Sequence, residues 1–163
     1  MRKSYVLQHL EELEPLNRAQ FYLALSPRQR ADMDVIAIVY PYILNDTLGS
    51  VTFNNTITKV YAGDADKVID FLKSGKTDSW IVNYIDPEFM PMEDLYFIAK
   101  AAIKADYHFY GNLTPTSTDI INQFKLIERM DMVVKLLSLF PELIPFQNDT
   151  VRTAFVSEMF CLN

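Results

Sequence analysis

Three features of this sequence could carry chemistry: a segment like a phosphate loop, a few histidine and cysteine residues, and clusters of carboxylates. The segment SGKT at Ser74–Thr77 ends like a phosphate-binding loop. Such a loop needs an earlier glycine at the position of Asp70 and a strand in front of it. The preceding residues instead have a helical pattern, and the Asp70 carboxylate would repel phosphate. The segment is therefore predicted to end a helix at Gly75, and no nucleotide site is expected.

The histidines and the cysteine form no pattern that binds a metal or activates a nucleophile. His9 and His108 belong to no H-E-x-x-H or H-x-H motif, and the single cysteine, Cys161, cannot complete a zinc site. The histidines are expected to be ordinary helix residues, and Cys161 to be a small hydrophobic residue rather than a nucleophile. We therefore predict no metal, no cofactor and no catalytic residue.

The carboxylates that lie close together in the sequence have structural explanations. Asp64, Asp66 and Asp70 lack the alternating ligands, the central glycine and the closing glutamate of a calcium loop. Acids that stabilise a helix N-terminus explain them better. Glu128 and Asp131 share a helical face and could act as acid and base, but a solvated helix face is the simpler interpretation.

Four segments match the acceptor pattern for N-linked sugar. Each asparagine is predicted to lie at a helix boundary or in a turn, where a short side chain bonds the local backbone. The opening residues MRKSYVLQHLEELEP lack the apolar run of a signal peptide, and a single cysteine is not typical of a secreted chain. Turn chemistry without sugar, and a cytoplasmic location, are therefore expected. The asparagines are Asn45, Asn54, Asn112 and Asn148.

One segment, DPEFMPMED at residues 86–94, combines prolines, carboxylates and large apolar side chains. A stiff, acidic connection that carries adaptable apolar groups resembles a protein-docking epitope. The more ordinary interpretation is that Phe89 and Met90 fill the core beneath the loop. The predicted partner-binding residues are Asp86, Glu88, Phe89, Met90, Met92, Glu93 and Asp94.

The elements that must position these residues are mainly helices. The 163 residues include 4 glycines, and half of the chain is apolar, which suits a single globular domain over residues 1–163. Two β-prone runs flank Asn54–Asn55, so a small β-hairpin is predicted near residues 50–61. The fold is predicted to be mainly α, with about seven helices and this hairpin. Helical patterns cover residues 4–13, 17–25, 26–44, 64–75, 91–112, 117–140 and 149–160, and residues 77–86 fit a helix or a buried strand.

The longest predicted helix, residues 117–140, is apolar over a wide arc. One stripe along it contains Ile120, Phe124, Ile127, Val134 and Leu137. A second stripe is predicted to form a homodimer interface, because a two-fold dimer is the commonest way to cover such a face. The alternative makes this helix the centre of the bundle, buried on all sides. The predicted interface residues are Met132, Val133, Leu136 and Leu139.

Charge and size restrict the function. The formal net charge is -6 and the pI is about 4.8, so phosphate backbones repel the chain and general nucleic-acid binding is not expected. No apolar stretch approaches the about 20 residues that span a membrane. In size and charge, the chain resembles the small acidic proteins with which phages and other viruses bind and disable host nucleases, polymerases or ATP-dependent proteases.

The leading hypothesis is therefore a non-enzymatic inhibitor or regulator that binds another protein with a basic surface. A viral structural or assembly subunit is the second hypothesis, in which the helix at residues 117–140 would be an oligomer contact. An enzyme without a recognisable motif is the third.

Overall fold

The computed structural model describes residues 2–113 and 115–162, except for the side chains of Thr116, Cys161 and Leu162. Within these ranges the fold is mainly helical, as predicted, and contains no strand. It has ten α-helices there, where about seven are predicted, because the segments 26–44 and 117–140 each form two helices and the segment of the predicted hairpin adds another. Its internal contacts divide the chain into two compact units, Met1–Lys67 and Val68–Asn163. The single domain over residues 1–163 stays a prediction. None of the described helices has the length and apolar content that crossing a membrane requires.

The first unit is a group of short helices packed around α4. In chain order it contains α1 (Lys3–Glu12), α2 (Pro15–Ala24), α3 (Pro27–Arg30), α4 (Met33–Ile43), α5 (Thr47–Ile57) and a π-helix (Thr58–Ala62). Helix α4 packs against α1, α2, α3 and α5, so its apolar side chains form the centre of this core. Local capping sets the helix starts: Ser26 forms a capping box with Gln29, and Asp32 accepts a 2.9 Å bond from the nitrogen of Asp34.

The hairpin predicted near residues 50–61 is wrong, because this segment is helical. Helix α5 begins after Asp46, whose Oδ2 accepts a hydrogen bond of 2.6 Å from the backbone nitrogen of Gly49. A side chain at Gly49 would force Ile43 and the capping Asp46 to shift, since its Cβ would lie 2.6 Å from Cδ1 of Ile43 and 2.9 Å from Oδ2 of Asp46. The cap and the glycine thus start a helix where β propensity alone predicts a strand.

The burial pattern explains why the helix is preferred. Phe53, Ile57 and Tyr61 are buried, whereas Val51 is 55% exposed. Burial of every fourth residue is a helical period, and a strand would bury every second residue. Four residues overshoot one α-helical turn by about 40°, and the wider π-helix at Thr58–Ala62 keeps Tyr61 on the buried face. Burial of three large side chains contributes several times the about 1 kcal/mol range of β propensity.

Asn55 gives a direct test of helix against hairpin. Because it is exposed in the interior of α5, Asn55→Ala is expected to stabilise the protein by about 0.5 kcal/mol, since alanine is the better helix former. In a two-residue hairpin turn the same change would be destabilising, because alanine resists positive φ. Urea denaturation separates the two outcomes. Asn55→Gly is the converse control, destabilising in a helix and stabilising in a turn.

The second unit is built on the long helix α7, which packs against α8, while α9 packs against α10. The predicted ends of α6 and α7 are confirmed, because Gly75 and Gly111 follow them with φ of 72° and 78°. Residues 77–86 contain a 3-10 helix. The elements are α6 (Ala65–Lys73, which begins in the first unit), Trp80–Tyr84 (3-10), Pro87–Phe89 (3-10), α7 (Met92–Tyr110), α8 (Pro115–Gln123), Leu126–Glu128 (3-10), α9 (Met130–Leu139), Pro141–Phe146 (3-10) and α10 (Asp149–Leu162).

The single helix predicted at residues 117–140 is wrong, because the chain is broken between α8 and α9. Lys125 has a left-handed φ of 56° at the break. Phe124 and Leu126 are both 0% exposed, although side chains two residues apart on one α-helix point about 200° away from each other. The left-handed residue between them allows both side chains to pack inward. As a consequence Ile127, predicted to be in the buried stripe, is 38% exposed.

Candidate functional site

The acidic loop, residues 86–94, presents Phe89 to solvent. Phe89 is 86% exposed and ends the short 3-10 helix Pro87–Phe89. Oδ1 of Asp86 accepts a hydrogen bond of 3.0 Å from the backbone nitrogen of Glu88. The Asp86 carbonyl accepts a second bond, of 3.1 Å, from the nitrogen of Phe89. These two bonds fix the backbone of the turn that carries the exposed ring.

The other residues predicted to bind a partner differ in their exposure. The interpretation that Phe89 fills the core is wrong, because its ring is exposed. Met90 is half-buried. Four carboxylates lie within these nine residues without a lysine or an arginine, which gives the loop a negative potential. The exposed members are Asp86, Glu88 and Glu93, and the half-buried members are Met92 and Asp94.

A second exposed ring, Phe97, lies one helical turn after Glu93 on α7 and is 53% exposed. Sequence reasoning missed this residue. Its one signal is its position outside the buried stripe of α7, which includes Leu95, Ile98 and Ala102. An exposed aromatic side chain therefore lies near the start of α7, shortly after the acidic loop in the chain.

The residues predicted to form a dimer interface are mostly buried within the chain. Met132 is 6% exposed, and Val133 and Leu136 are 0% exposed, which agrees with the alternative that placed this segment in the core. Leu139 is 51% exposed. It lies near the end of α9, which packs against α10; there Ser138 Oγ is 3.9 Å from Met159 Sδ. We define the C-terminal apolar patch as the exposed side chains of Leu139, Val156, Met159 and Phe160.

The phosphate-loop-like segment is a helix terminator, as predicted. The backbone nitrogen and the hydroxyl of Ser74 both donate to the carbonyl of Phe71, at 3.2 and 2.7 Å, and the left-handed Gly75 follows. Asp64 caps the same helix, since its Oδ1 accepts a 3.2 Å bond from the nitrogen of Lys67. Both features are therefore part of the boundaries of α6.

Two of the remaining candidates for chemistry, His9 and Asp131, are engaged in ring packing and in an ion pair. His9 stacks on Tyr5, with ring centroids 5.7 Å apart, and meets the edge of Phe21 at 4.7 Å. Asp131 forms a bidentate pair with Arg129, at 3.1 and 3.0 Å. The hydrogen bond from Arg129 lowers the pKa of Asp131, so this carboxylate stays ionised and is not suited to act as a general acid. The side chain of Cys161 lies outside the described residues.

The four asparagines of the sugar acceptor pattern occupy different positions. Asn148 caps α10, because its Oδ1 accepts a 2.9 Å bond from the nitrogen of Val151. Asn45 follows α4 and Asn112 follows Gly111, as predicted. Asn54 lies inside α5, so its predicted turn position is wrong. Thr114, which completes the third acceptor segment, lies outside the described residues.

A buried polar cluster around Asp106 has no counterpart in the sequence predictions. Asp106 is 3% exposed. One of its oxygens accepts a 2.8 Å bond from the nitrogen of Ser79, and the other accepts bonds from the hydroxyls of Ser79 and Ser117, at 2.9 and 3.4 Å. Burial raises the pKa of Asp106, while the bonds from Ser79 lower it. Because Ser79 and Ser117 are also buried, a substrate has no access, and the cluster is a structural one.

In the described part of the chain, no group of three or more histidine, cysteine, aspartate or glutamate side chains could hold a metal ion. No protein-family model, no curated protein and no solved structure matches this sequence or fold. Support for a function therefore comes from the exposed surfaces described above.

Proposed function

We propose that this protein is a non-enzymatic interaction module that binds and blocks another protein, in the manner of the small acidic inhibitors of phages and other viruses. The observation that carries the proposal is Phe89, 86% exposed on a hydrogen-bonded turn between carboxylates. A large aromatic side chain on a fixed backbone is typical of an interface hot spot. The target would be a host protein such as a nuclease, a polymerase or an ATP-dependent protease.

The charges around Phe89 define the chemistry of the partner. Three exposed carboxylates flank Phe89 in the sequence, at Asp86, Glu88 and Glu93. These carboxylates would lose hydration when a partner covers them. Lysine or arginine side chains of the partner would replace that hydration and orient the complex. We therefore assign a partner surface with an apolar pocket for the ring and a basic rim. The ring supplies affinity, and the carboxylates supply the association rate and the salt dependence.

Phe89→Ala is expected to abolish capture of the partner without changing the fold. Truncation of a hot-spot aromatic residue costs about 2 kcal/mol or more, which is a loss of about 30-fold in affinity. The immobilised wild type and variant are incubated with lysate of the native host at about 0.05 M and about 0.5 M salt. A protein that binds the wild type, weakens at the higher salt and is missing from the variant is the expected partner, and titration with the purified partner then measures both affinities.

Phe160→Ala is the matched control for this experiment. Phe160 is 75% exposed, nearly as much as Phe89, but it lies on α10 outside the acidic loop. This variant is expected to capture the partner as well as the wild type does. The proposal is wrong if Phe89→Ala retains the partner, or if both variants lose it to the same extent.

The C-terminal apolar patch favours a second candidate function, a viral structural or assembly subunit that associates with itself. Residues 156–160 are all exposed, and they include Val156, Met159 and Phe160. An apolar helix end in water is typical of an interaction surface. Sedimentation at about 10 µM tests this candidate, since that concentration suits a moderately tight dimer. Self-association that Phe160→Ala removes and Phe89→Ala retains would support it, and a monomeric wild type would exclude it.

A further inference from the structure

A groove in the first unit is lined by neutral and positively charged residues, in a chain whose net charge is -6. It lies between α3 and the segment formed by α5 and the π-helix, and its volume is about 390 Å³. We call it the basic groove. Its lining residues are Pro27, Arg30, Thr52, Asn55, Thr56, Lys59 and Val60.

Two buried tyrosines hold the backbone beside this groove. The hydroxyl of Tyr22 donates to the carbonyl of Arg30 at 3.0 Å, and the hydroxyl of Tyr61 donates to the carbonyl of Ala31 at 2.5 Å. Burial, and to a lesser extent the charge of Asp32, raises the pKa of Tyr61 to about 12. Burial also raises the pKa of Tyr22. Both hydroxyls therefore keep their protons at neutral pH and fix the position from which the side chain of Arg30 extends.

The opposite wall carries a row of polar side chains on one helical face. Thr52, Asn55, Thr56 and Lys59 follow each other at helical spacing along α5 and into the π-helix. The hydroxyl of Thr56 donates to the carbonyl of Thr52 at 2.9 Å, so Thr52 and Asn55 supply the other neutral polar side chains of this wall. A π-helix at such a wall is frequent at functional sites.

The groove carries two cations, Arg30 and Lys59. Among the ion pairs of residues 2–113 and 115–162, neither Arg30 nor Lys59 takes part. Arg30 is half-buried and Lys59 is exposed. Two cations on facing walls of a concave surface focus a positive potential there, even though the chain as a whole is acidic.

We propose that the basic groove binds a small organic phosphate monoester. The charge of such a group, about -1.5 to -2 at neutral pH, matches one arginine and one lysine. The arginine fork suits two phosphate oxygens, and the lysine supplies a point charge. The volume exceeds that of a phosphate and lies in the range of small-molecule sites. The remaining space, against Pro27 and Val60, takes an apolar organic body. A nucleic-acid strand does not fit this proposal, because the net negative charge repels an extended polyanion.

Titration with phenyl phosphate, followed by backbone amide chemical shifts, tests the proposal. The amides of residues 27–31 and 52–60 are expected to shift in a saturable way, with a Kd of about 1 mM or tighter. Arg30→Ala and Lys59→Ala are each expected to weaken binding about tenfold, the loss typical of one charge-assisted hydrogen bond. Arg30→Ala retains the backbone carbonyl that Tyr22 contacts, so the fold, checked by circular dichroism, is expected to stay intact.

Lys67→Ala is the matched control, because Lys67 is an exposed lysine of the same unit that does not line the groove. Its affinity for phenyl phosphate is expected to equal that of the wild type. Benzyl alcohol is expected to cause no shift, and inorganic phosphate to bind more weakly than phenyl phosphate. The proposal is wrong if the groove amides do not shift, if all three variants bind equally, or if benzoate binds as tightly as phenyl phosphate.

Discussion

Val133→Glu is expected to unfold the protein or to lower its free energy of unfolding by about 4 kcal/mol or more. Val133 is 0% exposed on α9, so the new carboxylate would be buried without a partner. A domain of this size has a total stability of about 5–15 kcal/mol, of which this change removes a large part. Urea denaturation followed by far-ultraviolet circular dichroism measures the loss.

Leu139→Glu on the same helix is the matched control. Leu139 is 51% exposed, so the added charge stays in water, and the stability is expected to change by no more than about 0.5 kcal/mol. If the wild type sediments as a dimer through the C-terminal apolar patch, this variant is expected to be a folded monomer. A folded, monomeric Val133→Glu from a dimeric wild type would instead restore the interface that the sequence predicts at Met132, Val133, Leu136 and Leu139, and would contradict the observed burial.

The break between α8 and α9 shows where sequence periodicity stops being informative. Helix α7 is predictable because Pro91 precedes it, Gly111 ends it and its apolar residues keep one period. The break at Lys125 has no such signal, since a lysine rarely adopts the left-handed conformation that glycine adopts freely. Only the burial of both Phe124 and Leu126 against the rest of the unit selects it.

The error at residues 50–61 has a different physical origin. Threonine, valine and isoleucine favour a strand locally, and paired asparagines favour a turn. Tertiary packing overrides both, because Phe53, Ile57 and Tyr61 at four-residue spacing are buried together. The spacing is visible in the sequence, and Asp46 with Gly49 is a visible helix start. The sequence does not show that the free energy of burying these three side chains exceeds the local preference for a strand.

The candidate sites divide in the same way. Prolines, acids and the cap at Asp86 make a stiff acidic loop predictable from a short stretch of sequence. The exposure of Phe89 is not predictable in the same way, because the more ordinary interpretation places its ring in the core. The basic groove is not predictable, because Arg30 and Lys59 come together only when α3 packs against α5. The cluster around Asp106 joins residues 27 and 11 positions away in the sequence. Non-local contacts of this kind depend on the complete fold.

Asp106→Ala is the second change with a large expected effect. It removes the acceptor for the backbone nitrogen and the hydroxyl of Ser79 and for the hydroxyl of Ser117, all in a buried site. Buried donors without a partner, together with the cavity, are expected to lower the free energy of unfolding by about 2–4 kcal/mol. Denaturation at neutral pH measures this loss. Lys104→Ala is the control, because Lys104 is an exposed residue of the same helix outside the hydrogen bonds of the cluster, and it is expected to change the stability by no more than about 0.5 kcal/mol.

Asp106→Asn keeps the shape of the side chain but removes its ability to ionise. Comparison with the wild type therefore tests how the charge of Asp106 makes the stability depend on pH. Burial raises the pKa of Asp106 in the folded chain above its ordinary value of 3.8, which applies to the unfolded chain. At a pH between the unfolded and the folded pKa, the folded chain holds a proton that the unfolded chain has released. This contribution to stability is complete below the unfolded pKa and is lost as pH rises through the folded pKa. Asparagine does not titrate. The wild type is therefore expected to lose stability relative to Asp106→Asn as pH rises from about 4, until the folded carboxyl is ionised. A difference between the two proteins that is flat over this range would show that the hydrogen bonds from Ser79 and Ser117 offset the cost of burying the charge, and a change in the opposite direction would show that they outweigh it.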